Sequence, residues 1–487
     1  MKQTITGKTG EWELVIGLEV HAQVISDSKL FSRSSTEFGS EPNSNVSFID
    51  AGFPGMLPVI NKKCVEQAIK SGLAINATIN QHSVFDRKNY FYPDLPNGYQ
   101  ISQFKEPIVS DGYIDIVNEN SIAKRIRVER IHLEQDAGKS LHDQLKDKSL
   151  LDLNRAGVAL MEIVTKPDIS SAFEAGEYIK KLRNILKSIE TCSGDMEKGA
   201  LRCDANVSVR RVGEKELGTR NEIKNLNSIK HIISAIESEA HRQIELLEQG
   251  GKVIQATRLY NPDTGLTKVM RSKEDAHDYR YFPDPDLLPL VITKEQIEEI
   301  KALLPELPDA KKYRYINSLN LLDLEADAIV NDRALVSFFE EILEYGVEAK
   351  MASSWLMAEL LGRLNKLEKT IEDNLISPKK LSELILLIKD GTISGKIAKD
   401  ILDLLLLPEN SNKSASQLVE EKGLKQVTDN SLIEKIVQKV LDENKDKVQE
   451  YKNGKLQLFG FFVGQVMKEM KGKGNPSAIN EILKKRL

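Results

Sequence analysis

The sequence predicts an α+β protein with a large strand-rich body, an all-helical middle and a small helical tail. Three observations predict it. Residues 1–295 alternate apolar and polar side chains with period two, broken often by Gly, Pro and Asn. From about 296 the apolar spacing becomes helical, with Pro305, Pro308 and Pro378 as punctuation. A polar run from Pro408 to Ser416 then separates the last helices. The expected domains are 1–295, 296–407 and 408–487.

Composition narrows the class. The 487 residues are 40% apolar and 29% charged, which fits a globular protein of several domains and excludes a fibrous or disordered one. Cys64, Cys192 and Cys203 form no CxxC pattern, so a disulfide framework, a thiolate zinc cluster and a Cys-x-x-Cys redox site are not expected. Met1–Glu13 lacks an apolar signal core, and Ile401–Leu407 is far too short to span a bilayer. A reducing cytoplasm is the expected location. The net charge of −5 does not favour nucleic acid globally. Lys468–Leu487, however, holds six basic residues against two acidic ones. That fits either an RNA contact or a solvated helix end.

The elements follow in order. Five strands are expected over Leu14–Val24, Ile126–Asp136, Val158–Val164, Leu201–Arg211 and Gly218–Leu226. Two helices interrupt them. One starts at the capping box Ser171-x-x-Glu174 and carries Phe173, Ile179, Leu182, Leu186 and Ile189. The other runs from Ser228 to Gln249 and stops at Gly250-Gly251.

Each strand carries charge on one face. In the first, Glu19, His21 and Gln23 oppose Leu18, Val20, Ala22 and Val24. In the second, Val128 shares its phase with His132, Glu134 and Asp136. Glu162 stands in phase with Val158, Leu160 and Val164. Arg202, Asp204, Asn206 and Ser208 share a face, as do Arg220, Glu222 and Lys224. A lone carboxylate among aliphatic groups costs several kcal/mol unless it is paired, protonated or metal-bound. A structural salt bridge explains one such residue. Five similar strands in one sheet would instead make a shared acidic patch, suited to a hard divalent cation such as Mg²⁺. His21 and His132 are less usual ligands for that ion.

Two segments are rich in tyrosine. Asp86–Tyr99 cannot be a regular helix. Its Lys88, Tyr90 and Tyr92 offer a cation for phosphate and rings for a base, or else an ordered loop of packed tyrosines. Arg271–Pro283, with Lys273, Tyr279, Arg280 and Tyr281, allows the same two readings. Gly391-Thr-Ile-Ser-Gly-Lys396 has the wrong spacing for a P-loop, and Gly472-Lys-Gly474 is too short to mark a dinucleotide loop. No cysteine nucleophile or Ser-rich amidase segment is present.

These segments together resemble the B-subunit family of bacterial tRNA-dependent amidotransferases. The matching runs are Ile16-GLEVHA-Gln23, Asp86-RKNYFYPDLPNGYQIS-Gln103, His132-LEQDAG-Lys139 and Asn154-RAGVALMEIVTKPD-Ile169. Gly194-DMEKGALRCDANVSV-Arg210, Gly218-TRNEIKNLNS-Ile229, Met270-RSKEDAHDYRYFPDPD-Leu287 and the tail run Leu458-FGFFVGQVMKEMKGKGN-Pro476 continue the match.

The resemblance implies a cradle-shaped first domain with a mainly antiparallel sheet, followed by helical and tail domains that grip tRNA. It implies an ATP-dependent, glutamine-hydrolysing carbon–nitrogen ligase working as a heterotrimer. The chain would phosphorylate the side-chain carboxylate of Glu-tRNA(Gln) or Asp-tRNA(Asn). Ammonia from the glutaminase A subunit would then displace phosphate, while a small C subunit spans both larger ones. By resemblance, Glu19, His21, Glu134 and Glu162 are the Mg²⁺ candidates, with Asp204 as a further one, and Glu19, Glu162, Lys88, Asp204 and Glu222 make up the catalytic set. Lys88, Tyr90, Tyr92 and Lys224 are candidates for the nucleotide or acceptor end. Arg202 and Glu222 complete the site or a channel mouth. Gln135 and Asp284 stand where Glu is common in the family. The absence of a Cys cluster removes the structural zinc of some members. Two rival readings are a stand-alone Mg-ATP carboxylate–amine ligase and a non-catalytic tRNA-binding scaffold.

Overall fold

The computed structural model describes residues 4–145, 147–272, 279–425, 430–470 and 474–487. Residues 273–278, including Lys273, and residues 471–473 of the tail run lie outside the described residues. The chain forms two compact units, Met1–Pro308 and Asp309–Leu487.

Five long strands build the first unit around the acidic segments. They are β1 (Glu11–Gln23), β2 (Ala123–Gln135), β3 (Ala159–Thr165), β4 (Leu201–Arg211) and β5 (Asn221–Leu226). They lie in the order β5-β4-β1-β3-β2 within a 10-stranded sheet. Ala256–Asn261 and Leu266–Ser272 extend it beyond β5, and Val109–Val117 and Thr78–Ile79 beyond β2. The neighbours of these five strands run antiparallel, except that Ala256–Asn261 lies parallel to β5.

Period-two alternation sorts the two faces of this sheet. One face turns Leu18, Val20 and Ala22, then Met161 and Ile163, then Cys203, Ala205 and Val207 into a single apolar core. Three helices cover that face: α1 (Lys62–Ala74), α2 (Ala172–Ser188) and α3 (Ile229–Glu248). Each fully buried aliphatic side chain there contributes about 1.5–3 kcal/mol. The opposite face is left for polar groups.

Four local expectations are corrected. α1 is a third helix inside residues 1–295. Its buried stripe includes Gln67, Ser71 and Gly72 beside Cys64, Val65, Ala68 and Ile69, so the apolar period is blurred. At α2, Ser171 caps by accepting from the Glu174 amide, but the capping box does not close. The Glu174 carboxylate accepts from the Ser170 amide at 2.8 Å and from Lys124 Nζ at 2.6 Å instead. Phe173, expected on the apolar face, is 41% exposed. Finally, Val128 does not share a face with His132 and Glu134. Against β3, Val164 opposes Arg130 but Thr165 opposes Val128, so Glu129 forms a bulge. The extra residue reverses the phase: Ile126 and Val128 precede it in the core, and Ile131 and Leu133 follow in the core.

The second unit is helical and holds two apolar cores. One gathers Phe339, Trp355, Leu360, Ile401 and Leu402. The turn Pro408–Asn410 joins the helices Gly395–Leu405 and Ala415–Glu421. Both helices belong to this first core, through Ile401, Leu402, Leu418 and Val419. The other core gathers Val437, Phe462, Val466, Ile479 and Leu483. Among the described residues no helix is long and apolar enough to cross a membrane.

Candidate metal centre and the lysine beside it

Strand register brings the acidic residues together. Glu162 on β3 lies directly opposite His21 on β1 and His132 on β2. Arg202 on β4 lies opposite His21 on the other side. Arg202, His21, Glu162 and His132 therefore form one row across four strands, on the face away from the core. Glu19 lies opposite Asp204 one row along, and Glu134 lies opposite Leu160.

The row converges on His21. Its Nε2 lies 3.5 Å from Glu162 Oε2 and 3.7 Å from both Glu19 Oε1 and Glu134 Oε1. His132 Nε2 lies 3.4 Å from the same Glu162 oxygen and 3.5 Å from Glu134 Oε2. Glu134 and Glu162 are 3% and 6% exposed. Arg130 Nη2 approaches Glu162 Oε1 at 3.6 Å, and no such guanidinium pairs with Glu19 or Glu134 among the described residues. Arg130 was missed by sequence reasoning, although it stands two residues before His132 in the same strand phase.

The charges respond to this crowding. Burial alone would push the His21 imidazole down, but Glu162, Glu134 and Glu19 raise it to about 9. His132 also reaches about 9, against burial, through Glu162 and Glu134. Burial and the neighbouring Glu162 lift Glu19 to about 7. Glu162 is held well below the usual carboxylate range, since His132 and His21 outweigh its burial.

The two raised imidazoles thus serve as counter-ions for Glu134 and Glu162, while Glu19 is pushed toward its neutral form. His132 Nδ1 is buried without a hydrogen-bond partner. Ligand atoms from Glu19, His21 and Glu162, and from His132, Glu134 and Glu162, form two groups, each within 4.8 Å. The carboxylates of Glu19, Glu134 and Glu162 are donors that suit a hard divalent cation and fit Mg²⁺, while the imidazoles beside them are its less usual ligands. Its double charge would replace that of the imidazoliums.

A second cluster continues from Glu19 along β4 and β5. Lys224 Nζ lies 2.9 Å from Glu222 Oε1 and also contacts Asp204 Oδ2. These acids, with Asp204 first, raise the ammonium above its ordinary value despite burial. The Thr257 hydroxyl donates to Glu222 Oε2 at 2.9 Å, a contact no sequence signal announced. Arg202 Nη2 donates to Asp136 Oδ2 at 2.9 Å.

On the β2 side lies Lys88, in the strand Asp86–Asn89. Burial would lower its pKa, but Glu134 first, then Tyr281 and Glu162, raise it. Lys88 Nζ lies 5.1 Å from the Tyr279 ring centre and 5.9 Å from that of Tyr90. The Tyr90 hydroxyl donates to Gln100 Oε1 at 3.2 Å. Tyr92 stands farther out: half exposed, it touches Tyr90 edge-on at 5.9 Å. The two tyrosine-rich segments thus meet at one lysine.

The structure places Glu19, His21, Glu134 and Glu162 in one cluster. Asp204, Glu222 and Lys224 form the adjoining one, with Arg202 beside them. Lys88 and the Tyr90 ring stand alongside.

Comparison with known proteins gives the same direction for the whole chain. Residues 14–298 match the GatB/GatE catalytic domain family and residues 337–487 the GatB domain family. The B subunit of the aspartyl/glutamyl-tRNA(Asn/Gln) amidotransferase of Rickettsia conorii (strain ATCC VR-613 / Malish 7) is 56% identical over 483 residues, 99% of each chain. Proteins of the same name from Zymomonas mobilis and Gluconobacter oxydans are each 55% identical. Those matches cover 100% of this chain and 99% and 100% of the relatives. With both family domains matched and relatives 55–56% identical over 99–100% of its length, the chain belongs to the family of tRNA-dependent amidotransferase B subunits.

Proposed function

We propose that this chain uses ATP to activate the side-chain carboxylate of Glu-tRNA(Gln) or Asp-tRNA(Asn) and then hosts its amidation. A carboxylate is a poor acyl donor because oxide is a poor leaving group. A carboxylate oxygen attacks the γ-phosphorus, the bond to ADP breaks, and an acyl phosphate forms. Ammonia from the glutaminase partner attacks the acyl carbon, and phosphate leaves with the activating oxygen. The product is Gln-tRNA(Gln) or Asn-tRNA(Asn). The working assembly is a cytoplasmic heterotrimer with the glutaminase A subunit and a small C subunit.

The observation that carries this reading is the convergence of three carboxylates and two imidazoles at His21, with the Lys88 ammonium beside them. Glu19, His21, Glu134 and Glu162 would hold Mg²⁺. When bound, that ion supplies charge neutralisation for the phosphoryl group. Lys88 binds phosphate oxygens, and Tyr90 and Tyr92 offer ring faces to the base. Lys224 and Arg202 face the acceptor end, with Lys224 held by Asp204 and Glu222. The apolar strands fix these groups, so little reorganisation is needed as charge develops.

The test is Glu-tRNA-dependent ADP release, with ammonium salt as nitrogen donor. Release should vanish in Glu19→Ala and Glu162→Ala while tRNA binding persists. Unchanged release would remove both residues from the site. No release even from the complete assembly would favour a tRNA-binding scaffold.

A further inference from the structure

A distant part of the chain packs beside Lys88. Residues Tyr279–Asp286 return along the strand Asp86–Asn89, with Phe282 opposite Arg87 and Pro283 opposite Asp86. The Asn89 amide donates to the Tyr279 carbonyl at 2.9 Å, and Asn89 Nδ2 donates to the Arg280 carbonyl at 3.0 Å. The Asp284 amide donates to the Phe85 carbonyl at 2.8 Å. This return places the Tyr279 ring near Lys88 and Tyr90, and stacks Tyr281 on Phe104 with ring centres 4.2 Å apart.

One side chain fastens the return. Arg87 Nε donates to Asp284 Oδ2 at 2.8 Å, and Arg87 Nη2 donates to Asp286 Oδ2 at 2.8 Å. The guanidinium also covers the Tyr99 ring at 4.2 Å. Asp284 is 3% exposed. A planar fork that bridges two carboxylates and stacks on a ring fixes a backbone far better than a point charge does. The return also contains Arg280 at φ +48°, a left-handed conformation that a non-glycine residue holds only when its surroundings enforce it.

We propose that Arg87 and Asp284 are positioning residues for ATP. Their clamp holds Tyr279 and Tyr281 against Lys88, so that the site meets the nucleotide already formed. This rests on the reading of Lys88 and its tyrosines as the nucleotide site. Neither residue touches the reacting atoms. Arg87 alternates with Lys88 along the strand and works from the opposite side of it.

Two conservative variants test the role in the assembled complex with its partner subunits. Asp284→Asn keeps the shape of the acid. Arg87→Lys keeps the charge and loses the fork. Both are expected to raise the KM for ATP about tenfold while kcat at saturating ATP stays within about twofold, because displacement of these rings weakens binding before chemistry. The near-UV circular dichroism of the clustered tyrosines should fall in both. A lowered kcat with unchanged ATP KM would mean only a smaller folded fraction and would overturn the role. Lys88→Met separates the two ideas. An unchanged ATP KM there would overturn the nucleotide reading and this role with it. A raised KM there, beside an unchanged one in Asp284→Asn, would overturn the positioning role alone.

Discussion

Replacing Glu162 with glutamine removes the central charge of the cluster and keeps its volume. In the native protein this carboxylate lies 3.4 Å from His132 and 3.5 Å from His21. Each imidazole is raised from 6.5 to about 9. That rise takes about 3 kcal/mol of net attraction, since one pH unit is worth about 1.4 kcal/mol. Two carboxylates share the load at His132 and three at His21, so losing Glu162 removes roughly 1–2 kcal/mol at each. Both imidazoles should then titrate about one pH unit lower. The sign matters for stability. A raised imidazole contributes stability below its unfolded value of 6.5, and that contribution is lost as pH rises through 9. In Glu162→Gln the loss should start from the same unfolded value but be complete about one pH unit earlier, at about 8. Imidazole NMR titration of chelator-treated protein reads the shift, and ADP release should fall about 100-fold or more as a metal ligand disappears. Both histidines still near 9, with ADP release intact, would refute the reasoning.

Three further outcomes follow from other contacts. Thr257→Val should lower the turnover of ADP release by about tenfold, because the hydroxyl that orients Glu222 is gone, while Thr257→Ser restores it. Equal loss in both variants would contradict this. Glu239 is buried on α3, where Arg242, Gln243 and Thr267 hold its carboxylate below the usual range against burial. That stability is present above the unfolded value near 4.3 and lost as pH falls through the lower folded value. Glu239→Gln should therefore cost about 1–3 kcal/mol in urea unfolding at pH 7 and progressively less in acid. A gap independent of pH would refute it. In the tail, Lys468→Gln with Lys484→Gln should weaken tRNA binding and flatten its salt dependence by about one contact per lysine. An unchanged salt slope would return those lysines to a solvated helix end. Deleting the segment is a poorer test, because Ile479 and Leu483 belong to the tail core.

The sheet was legible because its alternation is strict. Glu19 and His21 stand out against Leu18, Val20 and Ala22, and β4 occupies the residues expected for it. Legibility failed where one residue breaks the period. The bulge at Glu129 moved Val128 to the core, and nothing in a two-residue repeat announces an inserted residue. α1 was missed because its buried stripe contains glutamine, serine and glycine, which helical patterning counts as polar or breaking. At α2 the box pattern was right in letters and wrong in partners, since Lys124 from another strand drew Glu174 away. The same limit hid Thr257 and the clamp. Thr257 and Glu222 are 35 residues apart, and Arg87 and Asp284 are 197 apart. Local sequence carries no record of such pairings. The resemblance to the family implied what periodicity could not, that Lys88 stands near Glu162, and the structure brings the two within electrostatic reach.

Oxygen transfer from the substrate tests the account most directly. Glu-tRNA(Gln) carrying ¹⁸O in its side-chain carboxylate is turned over by the assembled complex with ATP and ammonium, and the released phosphate is analysed by mass. Activation through the carboxylate predicts one labelled oxygen in each phosphate that accompanies a labelled amide. Phosphate free of label, with amide formed at the full rate, would contradict it.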